Sequence, residues 1–372
     1  FASCDHVLVQ QTQVVGADPE TYNVQEALKI NQSQYIYIED SDISGAWDNA
    51  VDFVAVQYGH VQGNRIHNAG DWCMYLKGGS AYFRVESNEF FDCGTGGFTA
   101  GQGTGFQFMV PPWLHYEAYD IKFINNLIHD TAGAGMGVNG GYNILLAYNT
   151  LYRVGQRSHL LEFVFGSRSC DGMPGDPERD RCETYLAAGG WGTTVVGDGT
   201  NFVRIPNRNV FVYNNVIYNP PGSQSQWQHF TFPGLESGPS QVGANVPLPT
   251  LADENLRIRG NIIWNGPPDH PLGIGEGTGC QPTNPTCNET QLVAENTINT
   301  LEPQLIDPAH GNFRPVPGGN LLTATTYAIP AFPGGDQPQP PLAPEGDLSN
   351  TVSLGRAGDS RTSPTPPGAY VE

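Results

Sequence analysis

Lysine is nearly missing from this chain: only Lys29, Lys77 and Lys122 occur, beside fourteen arginines. Acidic residues outnumber basic ones 37 to 17, leaving a net charge of −20. That surplus argues against nucleic acid and anionic membranes as partners, since both repel a negative surface. No apolar run approaches the roughly 20 residues a membrane span needs. No CxxC pair or Cys/His spacing of a zinc site is present, and no carboxylates cluster at glycosidase spacing. The sequence as given contains no signal peptide, and a chain that opens at Phe1 without methionine is expected to be processed or trimmed from a secreted protein.

Glycine (46) and proline (30) are plentiful, which suits tight bends and extended loops better than helices. Through them runs a recurring hexapeptide: an aliphatic or Phe, two variable residues, asparagine, one more, then an aliphatic or Phe. It occurs at 61–66, 85–90, 123–128 and 146–151, around Asn64, Asn88, Asn126 and Asn149. It returns around Asn215, Asn261 and Asn296, and Ile38–Ile43 is a first copy with Ser41 in the asparagine position. The intervals between these centres are 23, 24, 38, 23, 66, 46 and 35 residues, a base period near 23 with insertions. Such a period is the signature of a solenoid. A 23-residue turn is too short for two helices, and its β-branched and aromatic residues predict short strands. Coils stacked about 4.8 Å apart bring equal positions into ladders, so the asparagines are read as an internal ladder at a bend.

The fold class expected is all-β, a right-handed parallel β-helix, forming one elongated domain. Residues 1–34 are read as an opening strand and an amphipathic capping helix from Asp18 through Ile30. Residues 35–300 form the coils, with insertions at 104–119, 165–208 and 220–250. Residues 301–372 are a Pro/Gly-rich tail expected to lie extended on the solenoid. Cys170/Cys182 and Cys280/Cys287 each bracket a short Pro-containing loop, the pattern of disulfide staples in an oxidising compartment; Cys73 with Cys93 stays open.

Phase then locates candidate chemistry. Twelve residues after successive asparagines lie Phe53, Leu76, Ala100, Val138 and Leu161, all apolar, so positions eleven and thirteen face outward. One outer face is expected to carry Asp52, Tyr75, Lys77, Thr99, Asn139 and Glu162, with Arg157 and His159 just before it. Its glycines keep it shallow, and the insertions at 104–119 and 165–208 wall a groove for an extended polymer.

The chain resembles the right-handed parallel β-helix proteins that include pectate, alginate and chondroitin lyases. The segment Asp71 to Ser80, followed by Asn88, is similar to the place where some lyase families carry a base lysine. That resemblance implies Lys77 as base against the proton α to a uronate carboxylate. It implies Arg157, or Ca²⁺ near Asp52, as the neutraliser of that carboxylate. Tyr75 or His159 would protonate the leaving oxygen. Asn139, Glu162 and Thr99 would bind substrate on the face, and Trp113, His115 and Tyr116 would stack on sugar rings. Asp171, Asp176 and Asp180 are further candidate calcium ligands. The expected partner is an extended polysaccharide, met outside the cell. The alternative is a non-catalytic structural, adhesive or glycan-binding solenoid capable of self-assembly.

Overall fold

The computed structural model describes residues 1–17, 26–110, 116–170, 175–187, 203–234, 250–266, 279–334, 349–362 and 365–371. Its chain winds as a parallel β-helix, each coil giving one strand to each of three sheets. One full coil is Gln57–Gln62, Arg65–Ala69 and Trp72–Lys77; the next is Ser80–Glu86, Glu89–Cys93 and Gly96–Gly101. The first sheet has eight strands, the second nine and the third seven, and every pairing within them is parallel.

Apolar residues at equal positions stack inward. One line runs Ile38, Val61, Val85, Phe123, Leu146, Val212 and Ile258, all buried. Another, in the third sheet, is Phe53, Leu76, Ala100, Val138 and Phe163. Strict alternation keeps such a core continuous, because each coil covers the apolar ends of the last.

The bend between the first and second sheets holds the asparagine ladder. Asn126 shows its chemistry. Its Oδ1 accepts from the Asn88 backbone N–H at 2.9 Å and from Asn88 Nδ2 at 3.1 Å. Its own Nδ2 donates to Val85 O at 2.9 Å and to Asn149 Oδ1 at 3.2 Å. The pattern continues through Asn215, Asn261 and Asn296. The residue before each of six rungs, from Asn64 to Asn261, is left-handed: Gly63, Ser87, Asn125, Tyr148, Asn214 and Gly260 all have φ between 55° and 70°. That conformation turns the strand, and the asparagine side chain satisfies the backbone groups the turn exposes. A shorter ladder, Asn219, Asn265 and Asn299, closes the far end of the second sheet.

Several expectations are corrected. The capping helix was expected to reach Ile30, but Leu28–Asn31 is a strand paired with Val51–Val54; residues 18–25 lie outside the described set. The first insertion ends sooner, since Ala118–Ile124 is already a strand. The second begins with strand Gly166–Ser169, which joins Gly103–Gly105 and Val203–Ile205 in a small sheet. Glu117 and Arg168 form a buried ion pair there, and Glu117 Oε2 also accepts from Thr104 Oγ1 at 2.6 Å and the Gly78 N–H at 3.0 Å. The last cassette is helical in its first half, within Glu289–Glu295. Cys73–Cys93, Cys170–Cys182 and Cys280–Cys287 are disulfides.

Beyond residue 300, described residues of the chain pack along the coils. Tyr327, Ile329, Phe332 and Val352 lie against Leu145, Tyr148, Phe211 and Tyr213 outside the first sheet. Arg361 sits 4.0 Å from the Tyr148 ring centroid and donates to Asn125 Oδ1 at 2.8 Å.

Truncating Asn126 to Ala removes four hydrogen bonds and strands buried backbone groups. The expected loss is about 3 kcal/mol, read as a lower urea midpoint at unchanged slope.

Candidate functional site

The outer face of the third sheet carries two rows. The first runs Lys29, Asp52, Tyr75, Thr99, Gly137 and Glu162. The second runs Asn31, Val54, Lys77, Gly101, Asn139 and Val164. All expected residues therefore share the face, but Glu162 belongs to the row of Tyr75, not that of Lys77. Two additional residues in the turn before Leu161–Val164 cause the slip, and an even slip keeps the face while changing the row.

The rows concentrate charge at the N-terminal coils. Lys29 Nζ lies 2.9 Å from Asp52 Oδ2 and 2.5 Å from Glu26 Oε1. Asp52 is fully buried, and that burial pushes its carboxyl up to about 6 against the pull of Lys77 and Lys29. Lys77 is half-buried; its Nζ donates to Gln102 Oε1 at 2.9 Å and sits 4.3 Å from the Tyr75 ring centroid. Burial depresses the pKa of Lys77, Lys29 adds to the effect, and Asp52 opposes it. Lys29 goes the other way: burial works against its charge, but Asp52 and Glu26 outweigh burial and raise its pKa. Two lysines on one face are thus driven apart, one toward the neutral amine and one toward the cation.

Lys29, Glu26 and Gln102 were not among the expected site residues. The 23-residue period reaches Lys29 from Asp52 directly; reading that stretch as helix hid it.

Other assignments change. Tyr75 is buried and presents its ring, not its hydroxyl, to Lys77, while burial and then Asp52 raise its pKa; a proton donor's role at Lys77 is withdrawn for it. Arg157 Nη2 donates to Gly94 O at 2.6 Å, in the turn leading into Gly96–Gly101. Lys77 closes its strand, so a strand's length, roughly 15–20 Å, separates it from Arg157. His159 shares that distant end, buried with its ring 5.3 Å from Trp227. Neither acts on the atoms Lys77 reaches. Thr99 is buried and donates to Asn139 Oδ1 at 3.1 Å, a tie between coils rather than a substrate contact. Asn139 and Glu162 are half-buried; burial raises the Glu162 pKa against the Ser158 hydrogen bond. Tyr116 is buried against Tyr119 and Tyr142 and is closed to sugar rings.

The face is also not the open floor its glycines suggested. An added Cβ at Gly96 would fall 2.2 Å from the Trp72 indole, and one at Gly137 3.2 Å from it, so these glycines make room for that ring.

Trp113, His115 and Asp171 lie outside the described residues. Asp180 is in the first turn of helix Pro177–Ala187, where its N–H donates to Asp176 O at 2.9 Å. Among the described residues no three His, Cys, Asp or Glu side chains converge on a point that could hold a metal ion. Asp52 is paired with Lys29 instead, so the residues do not fit calcium there.

With the coils in place, the comparisons with known proteins can be stated. Residues 1–110 match the family model described as the right handed beta helix region. The chain is similar to the crystal structure of an alginate lyase from Paenibacillus sp. str. FPU-7, at 11% identity and TM-score 0.37, over 71% of this chain and 75% of that one. It is similar to pectate lyase Pel9A at 12% identity and TM-score 0.35, over 93% and 72% respectively. No curated protein sequence matches it. The class defined is the right-handed parallel β-helix.

Asp52 tests the electrostatics. Its carboxyl holds a proton more tightly folded, near 6, than at its ordinary 3.8. Its contribution is most favourable below pH 4 and is lost as pH rises through 6, by roughly 3 kcal/mol at most. Asp52→Asn abolishes that loss, so its melting temperature relative to wild type is expected to rise by several degrees between pH 4 and pH 7.5.

Proposed function

We propose that this protein is an extracellular carbohydrate-active β-helix that cleaves a uronate-containing polysaccharide by β-elimination, with Lys77 as base. The observation that carries the proposal is the opposed pair of lysines. Lys77 is depressed toward the neutral amine by burial, beside a Lys29 that stays cationic. Three disulfides and an acidic, Gly/Pro-rich chain support a location outside the cell. Among the described residues, no helix is long and apolar enough to cross a membrane.

In this reading the Lys77 amine takes the proton from the carbon α to the uronate carboxylate. The released electron pair forms the carbon–carbon double bond, and the bond to the glycosidic oxygen breaks. Lys77, now an ammonium, returns its proton to that leaving oxygen. The Tyr75 ring beneath Nζ stabilises the ammonium while it lasts. The substrate carboxylate meets Lys29 on its exposed side, sharing its ammonium with Asp52 and Glu26. Gln102 holds the amine in place.

Lys77→Ala is expected to lower release of unsaturated uronate products by about 10³-fold while the fold survives. Wild-type activity should rise with pH as Lys77 loses its proton. Asp52→Asn removes a charge that holds Lys77 protonated, so the ascending limb should move to lower pH. Pectate, alginate and glycosaminoglycans, each with and without Ca²⁺, form the panel. No ultraviolet-absorbing product from any of them would sink the lyase reading.

A further inference from the structure

The turn joining the second sheet to the third forms a ladder of its own along the solenoid. Asp71 N–H donates to Asp48 O at 3.0 Å, and Thr95 N–H to Asp71 O at 3.0 Å. Ala132 N–H donates to Cys93 O at 3.0 Å, Gly155 N–H to Gly133 O at 2.8 Å, and Gln226 N–H to Gly155 O at 3.1 Å. The turns of six successive coils are therefore stacked, about 24 Å from first to last. Beside the first rung stands Trp47, 45% exposed, and beside the last stands Trp227, 47% exposed. Between them the exposed side chain of Arg157 reaches across to Gly94 O, midway along the row.

Trp227 is held in place. Its N–H donates to Ser158 O at 3.3 Å, and the buried His159 ring packs on its indole at 5.3 Å. A half-exposed indole fixed by a buried ring loses little entropy when a ligand stacks on it. Asp48 and Asp71 stand on the first two rungs, so attraction for an anion on this row falls to Arg157, whose exposed guanidinium pairs a carboxylate in a bidentate fork. Aromatic faces at both ends and one cation between them complement a polymer of sugar rings that bears carboxylates.

We infer that this turn row is a second, non-catalytic track for an acidic polysaccharide, with Trp47 and Trp227 stacking on sugar rings and Arg157 pairing a uronate carboxylate. The inference takes its polymer class from the function proposed above but does not use Lys77, which lies at the other end of the third-sheet strands. It also gives work to Arg157 and His159, which the elimination does not use.

The test is affinity electrophoresis of the full chain carrying Lys77→Ala, in gels containing polygalacturonate, alginate or a neutral cellulose derivative. Binding to an acidic polymer is expected to persist in that variant. Adding Trp47→Ala or Trp227→Ala should weaken it up to about tenfold each. Adding Arg157→Ala should weaken it and flatten its dependence on salt, while Arg157→Lys keeps part of the salt dependence. All three side chains are exposed, and unchanged melting temperatures confirm that the variants fold. Tryptophan variants that bind as tightly as their parent overturn the inference, as does equal retardation by the neutral polymer. Failure of product release with binding intact removes the lyase reading and leaves the track standing.

Discussion

Everything in this molecule depends on a spacing: parallel coils must stay about 4.8 Å apart and in step. The asparagine ladder enforces it. Each rung accepts from the backbone and side-chain amide of the coil before, and donates to a carbonyl of that coil and to the asparagine of the coil after, so a coil shifted by one residue would strand several buried groups at once. Apolar stacking alone tolerates slippage far better, because Val, Ile and Leu exchange places at modest cost. The ladder supplies register and the core supplies most of the free energy. Insertions are tolerated for the same reason. They leave from turns, and the ladder picks up again whether 23 or 66 residues intervene, as from Asn126 to Asn149 and from Asn149 to Asn215.

Register in turn makes the charge cluster possible. Lys29, Asp52 and Tyr75 come from three coils and meet only because 23-residue steps return them to one row. Asp52 would be expelled from so dry a position without neighbours of opposite sign. Lys29 compensates it directly and Lys77 more distantly; that pairing holds Lys29 charged, while burial pushes Lys77 toward neutrality against the pull of Asp52. Two of the chain's three lysines stand here, and the third, Lys122, donates to the Ser349 carbonyl of the tail.

The repeat, the ladder and the outer face were legible in the sequence, since stacking converts equal spacing into contact. Even the row of Lys77 and Asn139 follows from counting. What failed were the places where counting stops. The two-residue excess around Arg157 moved Glu162 by one row, and amphipathic spacing made the strand Leu28–Asn31 look like helix. Direction along a strand was also lost. Phase alone says that Arg157 precedes the face, not that a strand's length separates it from Lys77. Tyr116 was read as accessible from residue type and Thr99 from phase, and burial decides otherwise for both. Glycines such as Gly78, Gly101 and Gly140 suggested an open face, yet at Gly96 and Gly137 the missing side chain admits a neighbour's indole.

That separation across the third sheet bears on how such a protein would treat a long polymer. A track that grips one stretch of chain while a base lies a strand's length away cannot position the scissile bond by itself. It can hold the polymer near the protein, turning the second encounter into an intramolecular one at raised effective concentration. The benefit is greatest when both contacts are weak, because weak gripping allows release between events. Exposed tryptophans and a lone arginine are contacts of that strength, whereas Asp52 is fully buried and paired with Lys29. In the function proposed here, a packed centre for chemistry and a loose edge for retention would place opposite demands on packing, and the two edges of one sheet are where a single solenoid would meet them.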